Sequence, residues 1–389
     1  MTLMHQPAYP AARIVALKIE AHFEQHVVEA RRRGIAVPAA PPDARTFEAL
    51  IDAAFWASLR REENYVPKIS MTFVSPDAAP HPLRFERPLP LEPGALTKVA
   101  PAVERPGIHL GVWRDPAGPG GGLCVWGTIR TLPPLSAVVE VAAPGLIVVK
   151  HHRGGDAGKF VNVAVLEGDR IKIVDERASS LPDCPPLLTS LLGFDSPASW
   201  DAASDTVNVL VQLAVSMRAH GRGGLLLVVP ASADAWQESI VRPIPYAVEP
   251  PFQELAELTR EPPETKRTRH WRETVNRAVD AVAGLTAVDG ATVMTTGYEL
   301  LAFGAKIARR KGSPQVEQVT ITEPVEGDVA QILHPTQLGG TRHLSSAQFV
   351  HDQRDAVALV ASQDGRFTVL AWSPCEAMVH AHRVETLLL

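Results

Sequence analysis

The first part of the chain changes from one hydrophobic pattern to another. Residues 11–34 repeat apolar positions at helical spacing and end in a run of arginines and a glycine, which is typical of a helix stop. A second apolar stripe predicts a helix over 45–61. Residues 68–175 instead hold short β-type runs, and Gly168-Asp169 between two of them predicts a hairpin turn. These runs are ISMTFV, LCVWGTIR, AVVEVA, LIVVK, FVNVAVL and IKIVD.

The second half of the chain alternates between helical and β-type patterns. The pair Ser204-Asp205 is suited to cap a helix that ends near Gly221, and a continuous apolar run over 224–230 predicts a strand buried on both faces. Trp271 begins a further helical stripe that ends at a glycine, and several β-type runs follow it. A final helix is predicted over 375–388. This order indicates a mixed sheet with helices on both faces.

The two patterns predict two domains. The proline-rich segment LPDCPPLL separates them. We expect a β-rich α+β domain over residues 1–198, and an α/β domain with a mixed sheet over residues 199–389.

Charge and composition narrow the classes of function. Lysine and arginine total 38 against 43 for aspartate and glutamate, a formal net charge of −5. An overall basic surface for nucleic acid or an anionic membrane is therefore absent. Three cysteines, an odd number, argue against a disulfide framework, and no window approaches the roughly 18 apolar residues of a spanning helix. The N-terminal segment also lacks the apolar region of a signal peptide. We expect a cytoplasmic protein without nucleic-acid or membrane partners.

Two short segments of the second half carry candidate chemistry. Asp289-Gly290-Ala291 falls within an apolar β-type run, where a buried carboxylate requires a partner or a metal ion and a glycine permits close approach of a ligand. The segment GGTRHLSS over 339–346 combines backbone N–H groups with hydroxyl and cationic side chains, which suits an anion-binding turn before a helix. Each segment alone also has an ordinary interpretation, as a turn or bulge and as a capped helix start.

Taken together and in this order, the segments resemble the diadenylate cyclase (DAC) domain, which makes cyclic di-AMP from two ATP molecules. The resemblance runs from about residue 202 to residue 375. It includes GGLLLVV, the D-G-A motif at 289–291, AFGAKI, GTRHL at 340–344 and LVASQDG. The β-rich first half is similar, more loosely, to the variable sensor-type domains that precede some DAC domains.

The resemblance implies one ATP per subunit and a divalent cation, Mg²⁺ or Mn²⁺. Asp289 takes the position of the carboxylate that binds the metal and activates the 3′-hydroxyl, and Gly290 and Ala291 bring backbone close to the nucleotide. Arg342 and His343 are the other implied catalytic residues, because they bind the triphosphate and offset charge on the leaving pyrophosphate. The remaining nucleotide-binding positions that it implies are Gly340, Thr341, Ser345 and Ser362.

The chain departs from the family motifs, and this leaves two functions open. Leu344 stands where the motif has a second arginine, and Ser345-Ser346 replaces two alanines. The first function is a diadenylate cyclase that works as a face-to-face homodimer, each 3′-hydroxyl facing the partner's α-phosphate. The second is a degenerate DAC domain that binds a nucleotide without cyclising it. The intact Asp289 and Arg342-His343 favour the enzyme.

The other histidine-rich positions are interpreted as structural. His151-His152 beside Arg153 predicts a solvated strand end rather than a metal or anion site. His380 and His382 fall on the predicted final helix and would point to opposite sides, so they would not share a metal.

Overall fold

The computed structural model describes residues 7–32, 34, 41–62, 65–115, 122–152, 160–175, 208–232 and 234–389. Contacts divide the chain into two units, Met1–Val174 and Asp175–Leu388. The boundary predicted at residue 198 and the predicted helix cap at Ser204-Asp205 lie outside the described residues.

The N-terminal unit begins with the helices α1 (Pro10–Arg32) and α2 (Ala44–Ser58). The Asp43 carboxylate caps α2 by accepting a hydrogen bond of 2.8 Å from the backbone N–H of Thr46. Both helices turn an apolar stripe inward, so the helices predicted over 11–34 and 45–61 are confirmed, each ending a little earlier than expected.

A mixed sheet forms the rest of the N-terminal unit. Its strands, with the short helix α3 (Pro93–Val99) between the second and third, are β1 (Ser70–Phe73), β2 (Leu83–Pro90), β3 (His109–Arg114), β4 (Leu123–Ile129), β5 (Ala137–Ala143), β6 (Leu146–His152), β7 (Phe160–Glu167) and β8 (Arg170–Ile173). Within the described residues the strand order is β2-β4-β3-β1-β5-β6-β7-β8. Gly168-Asp169 joins β7 to β8 in the predicted hairpin, with Gly168 at φ 59°.

Helices α1 and α2 cover one face of this sheet. Phe23 of α1 and Phe47 of α2 are fully buried, and they share a core with alternate residues of the strands, among them Met71 and Phe73 of β1. Burying such side chains contributes about 1.5–3 kcal/mol each. The β-rich α+β architecture that was predicted for this part of the chain is confirmed.

The C-terminal unit places helices and strands in alternation. Its helices are α4 (Val209–Ala219), α5 (Glu254–Arg260), α6 (Pro263–Lys266), α7 (Arg269–Leu285) and α8 (Thr341–Asp352). Its strands are β9 (Gly224–Val229), β10 (Tyr246–Phe252), β11 (Ala291–Thr295), β12 (Leu300–Ala305), β13 (Val319–Thr322), β14 (Gln331–Leu333), β15 (Val357–Ala361), β16 (Phe367–Ser373) and β17 (Met378–Arg383). Among the described residues these strands form one sheet in the order β10-β12-β11-β9-β15-β16-β17-β13-β14.

Strand β9 shows how the sheet is covered on both faces. Leu226 and Val228 pack in one core with α4 and α7, whereas Leu225 and Leu227 pack in a second core with α8. Every residue of β9 is buried, as the continuous apolar run predicted. The predicted mixed sheet with helices on both faces is confirmed.

The final helix predicted over 375–388 is wrong. This segment forms β17, which pairs with β16 and β13, and then a short 3₁₀ turn. Val379 and Ala381 alternate with His380 and His382, which is the pattern of a half-buried strand, and the helix prediction overlooked this short alternation. His380 and His382 therefore share a face of a strand, with ring centroids 5.9 Å apart, rather than opposite sides of a helix.

Within the described residues, none of the helices combines the length and the apolar character needed to cross a membrane.

Candidate functional site

One end of the C-terminal sheet brings the two predicted motifs together. Strands β9 and β11 run parallel and both begin at this end, while β15 is antiparallel to β9 and ends there. The register pairs Leu226 with Thr292 and Gly224 with Ala361. The residues just before β9 and β11 and just after β15 therefore lie along one edge, which we call the Gly223 edge.

Asp289 lies in the turn between α7 and β11. The sequence placed it inside a strand as a buried carboxylate, and both parts of that prediction are wrong, since β11 begins at Ala291 and Asp289 is exposed. The chain reverses here because Thr286 caps α7 and Gly290 adopts φ 106°, a left-handed conformation that favours glycine. An exposed carboxylate at a sheet edge is available to a ligand without a burial cost.

Position 290 has no room for a side chain, because its backbone packs closely against a neighbouring strand. A Cβ at Gly290 would lie 2.5 Å from the carbonyl carbon of Gly304 at the end of β12. Gly304 itself has φ 65°, and a Cβ there would lie 2.7 Å from the Tyr246 ring. These contacts hold the Asp289 turn against β12, while the side chain of Ala291 is buried, so that Ala291 can offer a ligand only its backbone.

The second motif starts α8. Gly340 is the N-cap, and the first turn of this helix holds no acidic side chain, so its N–H groups and positive dipole end suit an anion. Thr341 is exposed and Arg342 is half-buried. A Cβ at Gly223 would lie 2.7 Å from Arg342 Nη1, so the absence of a side chain at Gly223 makes room for the guanidinium. Arg342 thus reaches the same sheet edge as Asp289.

His343 lies beneath this helix start rather than on the surface. It is 3% exposed, its Nε2 is 3.3 Å from Thr368 Oγ1, and a Cβ at Gly339 would lie 2.5 Å from its Nδ1. Burial lowers the pKa of His343, and the nearby cations of Arg383 and Arg366 lower it further. A neutral, buried imidazole suits a positioning role for the turn, and the catalytic role suggested by the sequence stays a prediction.

The serines of the motif are already engaged in hydrogen bonds. Ser345 Oγ and Ser346 Oγ both donate to the carbonyl oxygen of Arg342, at 3.2 and 2.6 Å. Ser362 closes the turn from β15 to β16, since its N–H donates to the Arg366 carbonyl at 2.9 Å. The nucleotide-binding roles of Ser345 and Ser362 stay predictions.

The Gly223 edge is more basic than the sequence suggested. Burial lowers the pKa of His220, and the positive charges of Arg222 and Arg342 lower it as well. Arg383 and Arg366 act on His343 in the same way, although Asp364 raises the pKa of His343 and forms a 3.4 Å ion pair with Arg366. Sequence reasoning missed Arg222, Arg366 and Arg383, because they lie in three separate segments that only the strand order brings to one edge.

The opposite end of the sheet carries a different feature. A cleft of about 650 Å³ is lined by residues that include Trp236, Arg310 and Asp352. Asp352 accepts hydrogen bonds from the Arg310 backbone N–H at 2.9 Å, from Gln348 Nε2 at 3.0 Å and from Ser313 Oγ. Burial raises the pKa of Asp352, but these hydrogen bonds outweigh it and hold the pKa below its usual value. This carboxylate is satisfied internally, and the predicted motif residues do not line the cleft.

Comparisons with known proteins bear mainly on the N-terminal unit. A family model described as "Probable sensor domain DACNV" matches residues 36–130. No curated protein matches the chain. Among solved structures, a crystal structure of a double mutant of DacA from Staphylococcus aureus is similar at 13% identity with a TM-score of 0.23, covering 44% of this chain and 83% of that chain. A TM-score this low does not establish a shared fold.

Proposed function

We propose that the C-terminal unit binds ATP at the Gly223 edge and condenses two ATP molecules into cyclic di-AMP with release of pyrophosphate. One observation carries this proposal: the Asp289 turn and the Arg342 helix start, more than 50 residues apart in sequence, meet at one edge of one sheet. An exposed carboxylate and a guanidinium beside a helix N-terminus are the groups that a nucleoside triphosphate and its cation require.

The triphosphate would lie at the start of α8. Its oxygens can accept hydrogen bonds from the first N–H groups of the helix, from the Thr341 hydroxyl and from the Arg342 guanidinium. The cations of Arg222 and Arg383 would add attraction at longer range, whereas Asp364 offsets the charge of Arg366. As the bond to pyrophosphate breaks, the same donors would offset the negative charge that develops on the leaving group.

Asp289 would hold the divalent cation. Mg²⁺ and Mn²⁺ prefer oxygen ligands, and Mg²⁺ is typically bound by one or two carboxylates together with substrate phosphates, so a single exposed carboxylate near a phosphate site fits. When bound, the cation lowers the pKa of a hydroxyl and screens the phosphates. Asp289 would also orient the 3′-hydroxyl toward the α-phosphate that it attacks.

An aromatic pair offers a surface for the base. Tyr246 stacks on Phe303 with ring centroids 4.7 Å apart and planes 8° apart, and Tyr246 is 50% exposed. The Tyr246 ring packs against Gly304, where a Cβ would lie 2.7 Å from it and 3.5 Å from the Asp289 carbonyl oxygen. The ring therefore lies close to the Asp289 turn. A purine stacked on this ring would gain about 1–3 kcal/mol.

The reaction also requires two subunits. A ring with two 3′–5′ linkages needs two nucleotides placed head to tail, and one Gly223 edge would hold one. The simplest source is a face-to-face homodimer related by a two-fold axis. Specific activity should therefore rise with protein concentration in the range where dimers form. A constant specific activity from a sample that light scattering shows to be monomeric with ATP and metal would contradict the dimer.

A degenerate nucleotide-binding domain is the second candidate. Leu344 removes a cation from the first turn of α8, and the serines that follow donate to the helix backbone instead of to a ligand. Both features would weaken phosphate binding, while the metal-binding position Asp289 stays intact. Such a protein would act as a sensor or scaffold, and the match of its N-terminal unit to a sensor family supports a regulatory role under either candidate.

Incubation of the purified full chain with ATP and Mn²⁺, followed by mass spectrometry, separates the two candidates. Cyclic di-AMP supports the cyclase. Bound ATP without product supports the degenerate domain. If neither bound ATP nor cyclic di-AMP is found, a nucleotide site at this edge is contradicted.

The use of ATP also agrees with the cytoplasmic location expected from the sequence.

A further inference from the structure

Three histidines converge in the N-terminal unit. His22 and His26 lie one turn apart on α1, and His151 lies near the end of β6. One ring nitrogen of each lies within 4.8 Å of the others. His22 Nε2 lies 3.3 Å from His151 Nδ1. The strand-end histidine that the sequence predicted to be solvated is 2% exposed, so that prediction is wrong.

The orientation of the rings differs from ordinary stacking. His22 and His26 meet the His151 ring at 87° and 75°, with centroids 5.4 and 4.9 Å away. The His22 and His26 rings are tilted by 48° with centroids 4.4 Å apart, and His22 Nε2 faces His151 Nδ1. A tetrahedral zinc ion with Zn–N bonds of about 2.0–2.1 Å holds its nitrogen ligands about 3.3 Å apart. The His22–His151 pair already has this spacing, and a His26 ring nitrogen lies within 4.8 Å of the other two ligand atoms.

The strand histidine of the cluster is held more firmly than the two helix histidines. His151 belongs to a strand paired on both sides, and its ring packs 4.9 Å from that of the fully buried Phe23. His22 and His26 are only partly buried. His26 also lines a cleft of about 500 Å³ along α1, whereas His22 and His151 are not among its described lining residues.

The donor set selects the class of cation. Neutral imidazole suits zinc and the neighbouring transition metals, whereas Mg²⁺ and Ca²⁺ require oxygen ligands. Two histidines four residues apart on a helix are also a common zinc-binding pair. We propose that His22, His26 and His151 form a Zn²⁺ site with three imidazole ligands and water in the fourth position. Bound zinc joins α1 to the sheet and stabilises the N-terminal unit.

Zinc titration of the full-length chain, freed of metal by a chelator, tests this site. We expect one Zn²⁺ per chain, with affinity at least roughly 100-fold weaker in His26→Gln and in His22→Gln. His270→Gln, a control at an exposed helical position of the other unit, should bind like the wild type. Circular dichroism of the metal-free proteins checks that the variants fold. ATP is omitted, so failure of the proposed cyclase does not affect the result.

X-ray absorption of the zinc-loaded wild type gives a measurement that needs no variant. Three imidazole ligands and one lighter oxygen ligand are the expected shell. An unaltered affinity in both His22→Gln and His26→Gln, or a zinc shell with fewer than three imidazoles, would overturn the proposal. So would a wild-type chain that binds no zinc at micromolar concentration, because the 3.3 Å contact would then be a hydrogen bond between two histidines.

Discussion

The two units of this chain group their histidines differently, and among the described residues only the N-terminal unit holds three within 4.8 Å of one another. In the C-terminal unit, His220, His343 and His382 each lie beside a threonine hydroxyl, at 3.4, 3.3 and 2.8 Å. In the N-terminal unit, three histidines instead converge on one another. A histidine with its own hydroxyl partner supports the fold, and several that share a centre can bind a ligand.

The two candidate sites also differ in the ligand atoms that they offer. The Gly223 edge is built from turns at the end of a sheet, where Asp289 and Arg342 offer hard oxygen and cationic groups to a phosphate ligand. The histidine cluster lies between a helix and a sheet and offers only nitrogen. The comparison teaches that the donor chemistry of each site, rather than its burial, separates a nucleotide site from a transition-metal site.

The largest expected effect comes from Asp289→Asn, which keeps the shape of the side chain and removes the charge. Product formation should fall at least roughly 100-fold, because the carboxylate that holds the cation and the hydroxyl is lost. The rate of cyclic di-AMP formation measures this. Asp280→Asn, an exposed carboxylate on α7, is the matched control and should keep full activity. Equal rates in Asp289→Asn and the wild type would remove Asp289 from the mechanism.

Arg342→Gln should weaken ATP binding by roughly tenfold to a hundredfold, since a charge-assisted hydrogen bond contributes about 1.5–3 kcal/mol. Isothermal titration with ATP and Mn²⁺ measures the change. Arg277→Gln on the exposed face of α7 serves as the control. If both variants bind ATP like the wild type, the triphosphate does not contact the start of α8.

Leu344→Arg should restore a cation to the first turn of α8 and tighten ATP binding or raise turnover by roughly tenfold. Leu344→Met, which adds no charge, should change neither. A folded Leu344→Arg variant without any gain would show that another cation of the Gly223 edge already serves this role.

The smallest effect concerns His109, a histidine of the N-terminal unit that is buried beside Ser70 and outside the cluster. Burial lowers its pKa to about 4, while Glu140 raises it and His152 and Lys150 lower it. As pH falls below about 6.5 the unfolded chain takes up a proton that the folded chain does not, so stability is lost. Between pH 7 and 6 the loss is on the order of 1 kcal/mol.

Urea unfolding at the two pH values measures this loss. His109→Gln should show a smaller pH dependence than the wild type and, unlike the cluster variants, an unchanged zinc affinity. An identical pH dependence in the two proteins would exclude His109 as its source.

Local patterns predicted most of the fold. The amphipathic helices, the buried run of β9 and the Gly168-Asp169 hairpin each carry their signal within a few adjacent residues. Strand β2 gave no such signal, because it is polar, largely exposed and contains prolines at an edge of the sheet. Strand β17 does carry a strand signal, the alternation of Val379 and Ala381 with His380 and His382, but it spans only four residues and was overlooked.

The candidate sites were predictable only where a motif is contiguous. Asp289-Gly290 and Gly340-Thr341-Arg342 were identified as segments, and the strand order then brings them to one edge. The exposure of Asp289 could not be read from its apolar neighbours, because the turn before β11 follows from the φ of Gly290. The histidine cluster was missed because His151 is more than 120 residues from His22 in sequence.

The central claim is that the Gly223 edge binds ATP through Asp289 and Arg342. Its most direct test is ATP binding by the full chain with Mn²⁺, compared with the double variant Asp289→Asn, Arg342→Gln in the same titration. We predict saturable binding of one ATP per chain in the wild type and none measurable in the double variant. Equal ATP affinity in the two proteins would contradict the account.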